Sequence, residues 1–381
     1  MTDVTAIYDA VTDSGRRLLR VSELVYEVAE RYPGVLPTRA EIDAEREHVQ
    51  KEKAGLEIAQ GEFVARVLAR PDLGLHLLHA MSQPRAEAVA LADELRRSGC
   101  VDLGPMRVER IGSVGHVTIQ NHAFLNSEDD SSTAALEIAI DLVLLDDAIA
   151  VGVLRGAPAT HPKHAGRRIF GSGINLTHLY YGRISLVEFM IERELGAVSK
   201  LYRGHAVGDV DDGQLEQRRE KPWIAAVDSF AIGGACQWLL VMDRVVAERG
   251  SYFNLPARKE GIIPGCANMR LPRLVGERIS RQAIFFNRDF AADSVEGRMI
   301  ADDVVEAEEM DATIEQAAVE LLSAGMTSLV ANRKALRVAQ EPLDRFRQYM
   351  SNYAQEQAYC LYSPALIDNL ERNWDARSRS L

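Results

Sequence analysis

The sequence predicts an α/β protein in which an N-terminal helical module and a C-terminal helical region flank an α/β core. Three observations predict it. Apolar residues recur at helical spacing through the first hundred residues, at Leu18, Leu19, Val21, Leu24, Val25 and Val28, and again at Leu56, Ile58, Phe63, Val64, Val67 and Leu68. From Val108 onward, short β-branched runs alternate with helical ones, which is the pattern of βαβ units and of a core buried on both faces. Beyond Glu277 the helical pattern returns and holds to about Tyr359. A chain of 381 residues admits this division, read as 1–105, 106–276 and 277–381.

The elements follow in order. Prolines at 33, 37, 71, 84 and 105 punctuate the first module into four to five helices. Thr38 followed by Glu41 forms a capping box that opens a charged helix through Lys53. The module reads as a solvated helical layer or as a lid over a site, and the sequence alone favours the layer. Val108–Ile111 and Val114–Ile119 are expected strands around the turn glycines Gly112 and Gly115. Thr133–Leu145 is an expected helix, and Ala148–Leu154 a buried strand closed by Gly156. Arg168–Phe170 and Trp223–Val227 read as further strands, Gly234–Met242 as a helix, and Val245 and Val246 as the start of another strand. The acidic, glycine-bearing stretch 208–217 is an expected mobile loop.

Composition excludes several classes. With 44 basic and 56 acidic residues the formal charge is −12, which argues against nucleic acid or an anionic membrane as partner. Four separated cysteines with no CxxC pair predict reduced thiols rather than a disulfide or zinc framework. The apolar stretch Leu136–Leu154 is interrupted by Asp141, Asp146 and Asp147, and residues 1–20 carry three aspartates and no apolar run; a cytoplasmic protein is expected. No His is followed two residues later by Asp or Glu, and there is no HExxH, Walker loop or GxSxG elbow. Gly171-Ser-Gly-Ile-Asn-Leu176 starts like a dinucleotide fingerprint but lacks its third glycine. No metal, flavin or nicotinamide cofactor is expected.

Two glycine-rich turns at strand-to-helix junctions remain, Arg168-Ile-Phe-Gly-Ser-Gly-Ile174-Asn-Leu and Ala226-Val-Asp-Ser-Phe-Ala-Ile-Gly-Gly234-Ala-Cys-Gln237. Glycines there either let a strand pack tightly on a helix or leave backbone N–H groups free for a ligand. Two such N–H groups converging on one oxygen form an oxyanion hole.

Together these turns resemble the crotonase (enoyl-CoA hydratase/isomerase) superfamily. Its markers stand in order from Val117 to about Leu336: the Asn121–Asn126 loop, the Phe170–Leu176 turn, Lys221-Pro-Trp-Ile-Ala-Ala-Val, Gly-Gly-Ala-Cys, Asp243, Phe253-Asn-Leu-Pro-Ala-Arg-Lys-Glu-Gly-Ile-Ile-Pro-Gly265, and Arg298-Met-Ile-Ala-Asp-Asp-Val-Val. The resemblance implies a crotonase-like spiral of ββα units, assembly into homo-trimers or homo-hexamers through the C-terminal helices, and an acyl-CoA substrate. It also implies a thioester oxygen held by the N–H groups of Ile174 and Gly234. Hydratases of the superfamily carry a catalytic Glu in each of two segments where this chain has Gln237 and Ala257. Neither an amide nor a methyl group can serve as a general base near neutral pH, so hydration by paired carboxylates is excluded.

The long helical module and Gln237 resemble the branch of the superfamily that oxidises an arylacetyl-CoA with O2 and no metal or organic cofactor. That resemblance implies conversion of 3,5-dihydroxyphenylacetyl-CoA to 3,5-dihydroxyphenylglyoxylate and free CoA, within glycopeptide-antibiotic (dihydroxyphenylglycine) biosynthesis. It implies that Gln237 is catalytic, that Glu128, Arg193 and Gln237 hold the ring hydroxyls, and that Lys163, Arg167 and Arg168 meet the CoA phosphates. Without it, Glu128 reads as part of a solvated acidic turn, Arg193 as an exposed charge cluster on a helix, and the basic loop residues as solvated. A thioesterase or isomerase of the same fold, and a scaffold that only binds acyl-CoA, are the alternatives.

Overall fold

A seven-stranded sheet organises the molecule. The computed structural model describes residues 3–207, 218–323 and 325–379, so the acidic stretch 208–217 lies outside the described residues. In spatial order the strands are Cys100–Asp102, Met106–Ile111, Val114–Ile119, Val151–Gly156, Trp223–Val227, Arg244–Glu248 and Asp303–Val305. The first three pair antiparallel, and every later pairing is parallel. Parallel neighbours need crossovers, which explains why helices lie on both faces and why the central strand Trp223–Val227 is apolar and buried at all five positions.

A small second sheet joins Phe230–Ile232, Tyr252–Asn254 and Phe290–Ala291. The chain therefore advances by a repeated unit: a strand in the large sheet, a strand in the small one, then a helix. Trp223–Val227, Phe230–Ile232 and Gly234–Leu239 form one such ββα turn, and Arg244–Glu248 and Tyr252–Asn254 start the next.

Six α-helices, rather than four to five, make the N-terminal module: Val4–Thr12, Val21–Arg31, Arg39–Arg46, Glu57–Ala69, Pro71–Met81 and Ala86–Ser98. The Thr38 capping box is formed, with Glu41 N–H donating to Thr38 Oγ1 at 3.3 Å and Thr38 N–H to Glu41 Oε2 at 2.7 Å. Its helix stops at Arg46, short of Lys53, because little of its surface is apolar enough to pack: only Ile42 and Glu45 are buried. The module's first five helices bury their apolar residues against the C-terminal helix Leu343–Leu361 and the segment 184–195 in one continuous core, while Ala86–Ser98 packs into the core of the large sheet.

Three other expectations shift. Ala148–Leu154 becomes Val151–Gly156, since Asp146 and Ala148 form the turn into the strand. Gly234–Met242 ends at Leu239. Arg168–Phe170 is not a strand: it pairs with residues 157–159 only through one antiparallel bridge, Pro158 to Arg168, flanked by Ala159 N–H donating to Arg167 O at 2.8 Å, and Gly171 makes a second single bridge to Ala231. The last helical region opens at Ala267 and is kinked at Gly276, whose φ is 77°. Among the described residues no helix is long and apolar enough to cross a membrane.

Candidate active site

The two glycine turns touch backbone to backbone. A Cβ built on Gly233 would stand 3.3 Å from Gly173 Cα and 4.0 Å from Ile174 N, so any side chain there would separate the turns. Gly173 has φ +81° and Gly233 φ +55°, conformations that glycine adopts without strain. Each turn leaves one donor free for its own reason. Glu128 N–H donates to Gly173 O and Asn175 N–H to Glu128 O, both at 2.7 Å. In such a parallel bridge the residue between them, Ile174, directs its own N–H the other way. Gly234 is the first residue of its helix, where an N–H has no intrahelical acceptor. Neither N–H finds an acceptor among the described residues.

A buried polar cluster covers these donors. Arg193 is 4% exposed, not part of a surface cluster, because the N-terminal module closes over the helical segment that carries it. This segment has wide π-type turns at Leu186–Ile191 and Glu194–Val198, with Met190 N–H reaching Ser185 O at 3.2 Å. Arg193 donates from Nε to Glu128 Oε2 at 2.5 Å and from Nη1 to Glu194 Oε1 at 2.5 Å and Gln237 Oε1 at 3.0 Å. Its Nη2 donates to Gly234 O at 2.8 Å. Burial opposes its charge, but Glu128 and Glu194 outweigh that and hold it protonated.

Glu128 is positioned by the loop before the helix Asp130–Leu145, whose capping box is Asp129 with Ser132. Asn126 anchors that loop, donating to Ile119 O at 3.1 Å and Ile169 O at 2.6 Å. Burial pushes the Glu128 carboxyl up despite Arg193, and its Oε1 is a buried acceptor with no partner. Gly234 must be glycine on this count too, because a Cβ there would collide with Glu128 Oε1.

The structure thus brings Ile174, Gly234, Glu128, Arg193 and Gln237 to one pocket with about 400 Å³ of empty space, lined also by Glu194, Glu260, Ile262 and Tyr353. Lys163, Arg167 and Arg168 stand apart on the loop ahead of the first glycine turn. Lys163 and Arg167 are exposed, while Arg168 donates to Gly156 O at 3.1 Å. Ala257 is buried near the pocket and offers no chemistry. Sequence reasoning missed Glu194 and Glu260. Glu194 adjoins Arg193, and Glu260 lies three residues beyond Ala257, one helical turn away in the short helix Ala257–Glu260. That i, i+3 spacing was the available signal. Among the described residues no group of three or more His, Cys, Asp or Glu is placed to hold a metal ion.

Comparison with known proteins agrees with this geometry. Residues 205–359 match the enoyl-CoA hydratase/isomerase family. The chain is 46% identical over 362 residues to the (3,5-dihydroxyphenyl)acetyl-CoA 1,2-dioxygenase of Amycolatopsis orientalis, covering 95% of this chain and 82% of that protein. It is 26% identical to the short-chain-enoyl-CoA hydratase of Clostridium acetobutylicum, over 62% of this chain and 82% of that one. Among solved structures, OdaA from Pseudomonas aeruginosa superimposes with a TM-score of 0.58 at 20% identity, covering 71% of this chain and 98% of that one, a likeness of fold alone. The ββα spiral, the paired glycine turns and the 46% identity place this chain in the crotonase (enoyl-CoA hydratase/isomerase) superfamily.

Proposed function

We propose that the protein is a dioxygenase that converts 3,5-dihydroxyphenylacetyl-CoA and O2 to 3,5-dihydroxyphenylglyoxylate and CoA without a metal or organic cofactor. The observation that carries the reading is the pair of unpaired N–H groups at Ile174 and Gly234 beneath the Glu128–Arg193–Gln237 cluster. It is supported by the 46% identity to a protein of that activity.

The chemistry follows from those groups. An arylacetyl thioester loses an α-proton to give an enolate, and the two N–H groups hold the oxygen on which charge develops. One such donor is worth about 3–4 kcal/mol in comparable sites. Glu128 Oε1, a buried acceptor without a partner, receives a ring hydroxyl, and Arg193 and Gln237 orient the ring. The electron-rich enolate passes one electron to O2, and the two radicals combine to form a Cα–O bond. The peroxide attacks the thioester carbonyl, CoA leaves, and O–O cleavage with loss of the second α-proton gives the arylglyoxylate. Both oxygen atoms enter the acid, and the substrate supplies all the electrons.

Lys163, Arg167 and Arg168 are proposed to meet the CoA phosphates. Lys163 and Arg167 form no salt bridge among the described residues, which leaves their charge to a ligand. The C-terminal helical region is proposed to build a homo-trimer or homo-hexamer, supported by the exposed rings of Phe285 and Phe286. A cytoplasmic place in glycopeptide-antibiotic biosynthesis completes the reading.

The test is O2 uptake by chelator-treated protein with 3,5-dihydroxyphenylacetyl-CoA, following CoA release in parallel. One-to-one coupling is expected. CoA release without uptake would instead make the protein a thioesterase on this fold.

A further inference from the structure

The pocket holds a carboxyl group that the mechanism above leaves without a task. Glu260 closes the single-turn helix Ala257–Glu260, which is stopped by Gly261 in the left-handed region at φ +83°. Its side chain lines the pocket and the residue is 6% exposed. No hydrogen bond or ion pair reaches that side chain among the described residues. A structural carboxylate at this depth would have partners, because burying an unpaired charge is expensive. Glu194, which lines the same pocket, shows the ordinary arrangement: it accepts from Arg193 and from Cys266 N–H.

Its position relative to the oxyanion donors is defined. Glu260 Oε1 and Ile174 N each lie 4.0 Å from the Cβ position of Gly233, so the two are at most about 8 Å apart. A thioester oxygen on that N–H at about 2.9 Å, its α-carbon about 2.4 Å farther on, and a carboxylate about 3 Å beyond span that gap. Glu128 cannot serve both roles, since Arg193 already holds its Oε2 and its remaining oxygen lies over Gly234.

We infer that Glu260 is the base that removes the α-proton, an inference that rests on the enolate reading above. The Cα–H bond breaks and its electron pair forms the enolate C=C bond. The carbonyl π pair moves onto the oxygen held by Ile174 and Gly234, and the proton ends on Glu260. Burial, with the neighbouring charge of Glu128 added, pushes this carboxyl up to about 7, where a general base is half ionised at working pH and still basic enough to act. The other charged or titratable groups lining the pocket are Arg193 and Glu194, which pair with each other, and Tyr353, whose hydroxyl donates to Met190 O at 3.3 Å. From the helix Pro364–Trp374 packed behind it come Asn369 and Asn373, which do not titrate, and Glu371, taken up by Arg377 and Tyr180.

The experiment compares wild type, Glu260→Gln and Glu260→Asp on α-dideuterated 3,5-dihydroxyphenylacetyl-CoA. Loss of α-deuterium is followed anaerobically, and O2 uptake aerobically. Glu260→Gln is expected to lower both rates about 10²-fold or more with KM within threefold, and Glu260→Asp to restore part of each. In the wild type, kcat/KM should fall as pH drops below about 7, because the base becomes protonated. Deuterium loss by Glu260→Gln within threefold of wild type, or a flat wild-type profile from pH 5.5 to 8.5, overturns the assignment; the second reading does not depend on any variant folding. Wild-type deuterium loss without O2 uptake would sink the dioxygenase reading while leaving Glu260 as the base.

Discussion

Glu260 also makes a claim about stability that is independent of catalysis. In the unfolded chain its carboxyl ionises near 4.5, and in the folded protein near 7. Between those values the native state holds a proton that the unfolded state has released. The contribution is therefore fully present below about 4.5, is lost as pH rises, and is gone above about 7. The swing is about 3–4 kcal/mol at most, from roughly 2–3 pH units at 1.36 kcal/mol each. Glu260→Gln removes the ionisation, so the variant should gain on the wild type as pH is raised from 4.5 to 8. Paired denaturant melts at the two ends of that range measure it. A difference independent of pH would mean that the carboxyl has a partner when folded.

At the scale of elements, glycine sets how closely the N-terminal module approaches the C-terminal helix. Glu57–Ala69 lies against Leu343–Leu361 with Gly61 at the contact, where a Cβ would be 2.8 Å from Ala358 Cβ and 2.9 Å from Ala354 O. Helix propensity favours Gly61→Ala by about 1 kcal/mol, but the methyl has no room. Overpacking of this kind costs about 1–3 kcal/mol, so the substitution should be destabilising on balance. Thermal melting reads the sign, and a raised Tm would show that the helices can move apart freely. The same helices show what the sequence discloses. Their apolar stripes are periodic, so their existence was legible, and so were the two glycine turns, because both are local backbone demands. The segment Leu186–Val198 was not, since it is buried all round and carries no one-sided pattern to read. Arg193 looked exposed because the module that covers it lies more than a hundred residues earlier in the chain. Glu260 was hidden for a similar reason: it is buried between the turn at Gly233 and the helix Pro364–Trp374, neither of them near it in sequence.

For the whole molecule, the question is whether the N-terminal module moves as a lid or stands as part of the body. It shares one apolar core with the segment 184–195 and the C-terminal helices, so leaving would expose Phe63, Val64, Phe346 and Met350 together. A buried ionic network adds a second tie. Lys200, fully buried, reaches Glu137 at 2.8 Å and Asp141 at 2.7 Å. Arg20 of the module donates to the same Glu137 at 2.7 Å, and Arg85 N–H donates to Asp141 at 2.8 Å. These cations hold Glu137 down at about 2 against the effect of burial. Lys200→Met would leave Asp141 without its cation and Glu137 with only the two module arginines. Breaking a buried pair this way typically costs about 3–5 kcal/mol. The loss should fall on the module and the α/β core at once, because the network belongs to both. Calorimetry of Lys200→Met is therefore expected to show one transition at lowered Tm. Protection from hydrogen exchange should weaken in Glu57–Ala69 and in Asp130–Leu145 by similar factors. Two separated transitions, or exchange that rises in the module alone, would show instead that the module opens independently of the body and is free to act as a lid.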